Sequence, residues 1–77
     1  MREKPQRIAA KVKAIRVHLG ISQTGMQRLL ELKGSYSRIS EFERGRRQPT
    51  LLVLLSYARA AGIPLEEIVD DDLELTI

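Results

Sequence analysis

Three arginines, Arg44, Arg46 and Arg47, crowd the segment Glu43-Arg-Gly-Arg-Arg-Gln-Pro49, directly after a short polar stretch from Tyr36 to Glu41. Clustered guanidinium groups suit phosphate, a contact that positions a protein on a polyanion without reading its sequence. The plain alternative is solubility plus compensation of a helix dipole, worth about 0.3–1 kcal/mol per charge. Two of the three lie beyond the helix end that the glycine at position 45 marks, so the dipole explains them poorly. Ile39 and Phe42 are the apolar residues of the preceding stretch. With a step of about 100° per residue, Ser37, Glu41 and Arg44 fall opposite them, Ser40 lies beside that side, and Tyr36 and Arg38 project laterally at the first turn. Such a face donates and accepts hydrogen bonds. It matches what base edges in a DNA major groove require, where arginine suits guanine and a carboxylate suits the cytosine amino group. An ordinary solvated helix face has the same composition, so the polar side alone does not decide between the two.

These side chains need helices to hold them. Ile8, Val12, Ile15 and Leu19 form one narrow stripe flanked by Lys11, Lys13 and Arg16, which predicts a first helix from Gln6 to Leu19 with Pro5 in its first turn and Gly20 as its stop. Ser22 caps a second helix whose apolar side is Met26, Leu29 and Leu30, with Gly25 weakening it by roughly 1 kcal/mol relative to alanine. Glu31 to Gly34 make a turn, Ser35 is the next cap, and Tyr36 to Arg44 form the third helix, closed by Gly45. Thr50 caps a fourth helix with the face Leu51, Leu54, Leu55, Ala58 and Ala61, ended by Gly62; Tyr57 closes the core with its hydroxyl at the surface. Pro64 opens a short fifth helix carrying Leu65, Ile68 and Val69. The fold class is an all-α five-helix bundle. It is expected as a single domain over 1–77, with its core at about 6–69 and an acidic tail at 70–77.

Two placements within this scheme are specific. Gln23 stands in the first turn of the second helix, where free backbone N–H groups favour an anion and a side-chain amide can clamp the same phosphate; a surface glutamine fits that position equally well. Arg16 and Glu43 both sit at the edges of their apolar stripes, where a charge-assisted pair would lock the first helix to the third. Two unrelated boundary residues are the other reading. His18, near a helix end, is assigned no function.

Composition sets the limits. Seventy-seven residues with 43% hydrophobic content just suffice for one packed core. With no cysteine and one histidine, neither a thiolate metal site nor a nucleophile–base pair can be assembled, so no enzyme, metal or cofactor is expected. The longest apolar run, Leu51 to Leu55, is too short to span a membrane. The charged start leads into no signal-peptide apolar region, so a cytoplasmic location is expected. Net charge is +3, but residues 1–50 carry twelve Lys/Arg against four Asp/Glu, while residues 51–77 carry one against six. That asymmetry fits a polyanion-facing side. A mixed surface, or an acidic tail lying against the basic half of the same molecule, would also produce it.

Taken in order, Leu19-Gly20-Ile21-Ser22-Gln23, Ile39-Ser40-Glu41-Phe42-Glu43-Arg44-Gly45, Pro49-Thr50-Leu51, Leu54-Leu55, Ala58, Ala61-Gly62-Ile63 and Leu65 to Ile68 carry a resemblance. The chain resembles the Cro- and lambda-repressor-like (XRE-type) helix-turn-helix domains over roughly Lys11 to Val69. The resemblance implies that the second and third helices are the DNA-binding pair. It implies further that Gln23 holds a backbone phosphate, that Tyr36, Ser37 and Glu41 face bases, that Arg38 meets bases or backbone, and that Glu43 pairs with Arg16. Three features depart from the pattern. The turn between Ser22 and Ser35 is about two residues longer, Gln27 stands where a small alanine is usual, and Gly25 replaces a better helix former.

The function expected is sequence-specific binding of double-stranded DNA by a transcriptional regulator. Tyr36, Ser37, Arg38 and Glu41 would read bases, and Gln23, Ser40, Arg44, Arg46 and Arg47 would hold phosphates. A domain of this size covers one half-site, so a homodimer on a palindrome is expected. The competing class is a protein-interaction module, antitoxin-like or an accessory subunit, whose acidic C-terminal half binds a protein partner. RNA binding ranks below both, because the aromatics are too few and scattered for stacking.

Overall fold

The computed structural model describes residues 5–34 and 37–77. Ser35 and Tyr36, expected as a helix cap and a base-reading residue, therefore lie outside the described residues. Five helices follow one another: α1 (Ile8–Leu19), α2 (Gln23–Leu29), α3 (Ser37–Glu43), α4 (Leu51–Ala61) and α5 (Glu66–Val69). No strand occurs among the described residues. The fold is an all-α bundle in which α1 is central, packing on α3, α4 and α5, while α2 packs on α3.

The expected stripe of α1 is the spine of the core. Ile8, Val12 and Ile15 are buried and meet Met26 of α2, Ile39 and Phe42 of α3, Leu54, Tyr57 and Ala58 of α4, and Ile68 of α5. Burying a large side chain of this kind contributes about 1.5–3 kcal/mol, and the apolar hold on α3 rests on its two anchors, Ile39 and Phe42. Three expectations are corrected. Leu29 and Leu51 face solvent, at 52% and 64% exposure. Both occupy the rim of a helix whose core positions are already filled, by Met26 in α2 and by Leu54, Tyr57 and Ala58 in α4. Tyr57 is wholly buried, and its hydroxyl lies inside without a hydrogen-bond partner rather than at the surface. Burial, and then the negative charge of Glu43, push its phenol above the usual tyrosine range.

The turn between α2 and α3 shows how the longer spacing is accommodated. Glu31 takes the left-handed conformation, φ 55°, that a glycine would occupy at a helix C-terminus. Its N–H donates to Arg28 O and that of Leu32 to Gln27 O, the paired bonds that end a helix by reversing the chain. Gln27 is buried and its Nε2 donates to Gly34 O at 3.3 Å, pinning the far side of the turn. The bulk that departs from the family pattern thus supports the extra length of the turn.

The chain ends close the bundle. α1 begins at Ile8, two residues later than expected, and Arg7 supplies no side-chain cap. The acceptor comes from 64 residues away: Asp71 accepts from Gln6 N at 2.7 Å and from Arg7 N at 3.1 Å. Arg7 in turn grips Glu74 through both terminal nitrogens, at 2.7 and 2.9 Å, and its guanidinium holds the Glu74 carboxyl below the usual range. Lys11, expected to flank the apolar stripe, is buried at 3% exposure. Its ammonium donates to Glu67 O, Asp70 O and Leu73 O at 2.6, 2.8 and 2.8 Å, which uses all three of its protons. Part of residues 70–77 is thus tied down within the molecule, as an acidic tail lying against the basic half would be. Lys11→Met keeps most of the stem's packing but strips the donor from three carbonyls. We expect it to lower unfolding free energy by at least about 2 kcal/mol in urea denaturation, since each orphaned buried acceptor costs about 1–3 kcal/mol; an unchanged midpoint would show that water serves those carbonyls equally well.

Candidate nucleic-acid interface

The face that could meet a polyanion is built from the start of α2, the exposed side of α3 and the loop after it. Ser22 is extended, φ −74° and ψ 170°, and its Oγ accepts from Gly25 N at 3.0 Å. A Cβ on Gly25 would stand 3.3 Å from that oxygen, so glycine leaves room for the cap at the expense of helix propensity. The cap places Gln23 in the first turn, beside α3.

One carboxylate ties α1, α2 and α3 together. Glu43, at 4% side-chain exposure, accepts from Arg16 Nε at 2.6 Å through Oε2 and from Arg16 Nη2 at 3.1 Å through Oε1. Oε1 also accepts from Gln23 Nε2 at 3.2 Å. The remaining Arg16 nitrogen, Nη1, donates to Ile21 O at 3.0 Å, in the link between α1 and α2. Three helices are thus joined around one negative charge, with Tyr57 enclosed beneath. The Glu43 hydrogen bond holds the Arg16 guanidinium above its ordinary pKa. Gln23, expected as a phosphate clamp, is part of this network and keeps one further amide N–H.

Beyond Glu43 the backbone reverses at Gly45, φ 73°, with Gly45 N bonded to Phe42 O and Arg46 N to Glu41 O. A left-handed residue is needed there to turn the chain away from α3 at once. Arg44, Arg46 and Arg47 are consequently all exposed and clustered at one corner. Among the described residues, neither Arg44 nor Arg46 has a side-chain partner, whereas Arg47 Nε donates to Glu41 Oε1 at 3.2 Å. Ser37 is exposed, and Ser40 and Glu41 are half-buried on the same side of α3, away from the inward-facing Ile39 and Phe42. Arg38 lies back over the turn, its guanidinium 3.9 Å from the position a Cβ would take on Gly34. The structure therefore gathers Ser37, Ser40, Glu41, Arg44, Arg46 and Arg47 around α3 and its exit, and turns Arg38 partly aside. Sequence reasoning missed Gln27 as the brace of the turn that delivers this helix; its signal was a glutamine standing where a small alanine is usual.

The Arg16–Glu43 pair yields a test of what orients α3. Glu43→Gln leaves a mostly buried guanidinium without its charge partner, and we expect a loss of about 3 kcal/mol in unfolding free energy. The double variant Arg16→Met/Glu43→Leu should recover most of that loss while weakening the alignment of α3. Additive losses in a double-mutant cycle would instead mean that the two residues act separately.

A family model described as helix-turn-helix matches residues 12–68, which takes in all of α2, α3 and α4. Among solved structures, the P22 c2 repressor protein, determined in complex with a synthetic operator, superposes with a TM-score of 0.73. It is 24% identical, over 87% of this chain and 98% of that one. A hypothetical transcription factor from Neisseria superposes with a TM-score of 0.70, also at 24% identity, over 90% of this chain and 84% of that one. No curated protein matches the chain in sequence. No described helix is long and apolar enough to cross a membrane. With the two-helix unit, its turn and the ordered motif in place, the chain belongs to the Cro- and lambda-repressor-like helix-turn-helix family.

Proposed function

We propose that the protein is a sequence-specific reader of double-stranded DNA that regulates transcription, with α3 lying in the major groove. Members of its family are non-enzymatic DNA-binding regulators. The observation that carries the reading is the corner where α3 meets its exit loop. A polar, half-exposed helix side runs into exposed arginines, on a helix too lightly anchored to be kept for its packing. In this reading Ser37, Glu41, Arg38 and Tyr36 approach base edges, and Gln23, Ser40, Arg44 and Arg46 hold the backbone. Gln23 offers phosphate the amide proton that Glu43 leaves unused. The reading includes a homodimer on a two-fold site, since one domain of this size spans one half-site. The competing interaction module draws less support, because Asp71 and Glu74 of the acidic segment are bonded within the molecule.

Affinity for a random duplex pool across salt concentrations tests the reading. Phosphate-led binding falls with a log–log slope of about −0.9 for each neutralised phosphate. Arg46→Ala should weaken binding to all duplexes alike and make that slope shallower by about 0.9. Ser37→Ala should leave the slope unchanged and alter preference at one base pair by about 1–3 kcal/mol. A flat slope in the wild-type chain, or no binding, would reject DNA recognition and favour the interaction module.

A further inference from the structure

The three exit arginines are not equivalent. Arg44 and Arg46 have no side-chain partner among the described residues, but Arg47 is turned back onto α3, where Glu41 Oε1 accepts its Nε at 3.2 Å. Its backbone is held on the same residue, with Arg47 N donating to Glu41 O at 3.3 Å. The arginine that sequence position groups with the phosphate contacts therefore lies over the side of the helix proposed to face bases.

The charges favour this arrangement in a groove. A lone carboxylate carried between two phosphate strands is repelled by both, whereas Glu41 paired with Arg47 enters without net charge. Because Nε is the atom engaged by Glu41, the two terminal nitrogens of Arg47 remain as an end-on fork. That fork is the donor pair that guanine N7 and O6 accept in the major groove. Anchoring the long side chain on α3 also removes part of the rotamer freedom that recognition would otherwise have to quench. The pair itself is half-solvated, with side-chain exposures of 52% and 35%, so it adds little to folding.

Building on the DNA-reading proposal, we infer that Arg47 is a specificity-determining residue that reads a guanine, and that Glu41 is the positioning residue that aims it. The contact assigned to Arg47 thus moves from the phosphate backbone to a base edge. Because the pair contributes little to stability, Arg47→Ala and Glu41→Ala both keep the fold, which a denaturation midpoint equal to wild type verifies.

The experiment selects a preferred site with the full wild-type chain from random duplexes. It then measures affinity for every single-base variant of that site with wild type, Arg47→Ala, Glu41→Ala and the double variant. We expect Arg47→Ala to lower discrimination at one G·C pair by about ten-fold or more, with the salt slope unchanged. Glu41→Ala should lower discrimination at the same pair, and the double variant should lose no more than Arg47→Ala alone. Uniform weakening by Arg47→Ala with a slope shallower by about 0.9 would return Arg47 to the phosphate contacts and overturn the inference. Effects of the two variants at different base pairs would overturn the pairing. A wild-type chain that selects no site would overturn the DNA-reading proposal, and this inference with it.

Discussion

The carboxylate of Glu43 is the constraint on which the geometry of this molecule turns. It takes two hydrogen bonds from Arg16 of α1 and one from Gln23 of α2, and Arg16 also holds the carbonyl of Ile21 between those helices. Helix α3 is two turns long and buries only Ile39 and Phe42, too little apolar surface to fix its rotation and tilt by packing alone. The network supplies what packing lacks. A nearly buried ion pair adds little net stability, because desolvation offsets most of its attraction, but it penalises any arrangement in which the partners separate. Here the penalised arrangements are those in which α3 swings away from α1 and α2. The same atoms that orient the helix also hold Gln23 at its flank, so base-facing and backbone-facing groups share one rigid reference.

Charge is divided along the chain in a way that the fold explains. The basic N-terminal half faces two partners. Arg7 and Lys11 are taken up by Asp71, Glu74 and the carbonyls of α5 and the segment after it. Arg44 and Arg46 are left exposed. The acidic segment therefore occupies Arg7 and Lys11, and the field that would attract a polyanion comes from the exposed arginines after α3. Lys11 also supplies a donor to Glu67 O in the four-residue α5 and to Asp70 O at its C-cap.

Most of the bundle was legible in the sequence because its signals are local. The caps Ser22 and Thr50 and the stops Gly20, Gly45 and Gly62 mark helix ends through bonds made within a few residues. The stripe on α1 is likewise a matter of spacing. The misreadings arose where a distant or unusual partner decides. The start of α1 is set by Asp71, far along the chain, and Lys11 is buried because three carbonyls converge on it. Tyr57 breaks the usual rule that a buried hydroxyl finds a partner, so the rule placed it at the surface. At the candidate site, residue types and helix sides were readable. The bond from Arg47 to Glu41 was not, since it depends on how tightly the chain reverses at Gly45.

Amide chemical-shift mapping, with the labelled chain titrated by the duplex it selects from a random pool, would show which face meets DNA. Binding through α3 and its exit loop predicts perturbations concentrated at residues 22–25 and 37–48, with α5 and residues 70–77 little changed. Shifts confined to residues 65–77, with α3 silent, would contradict it.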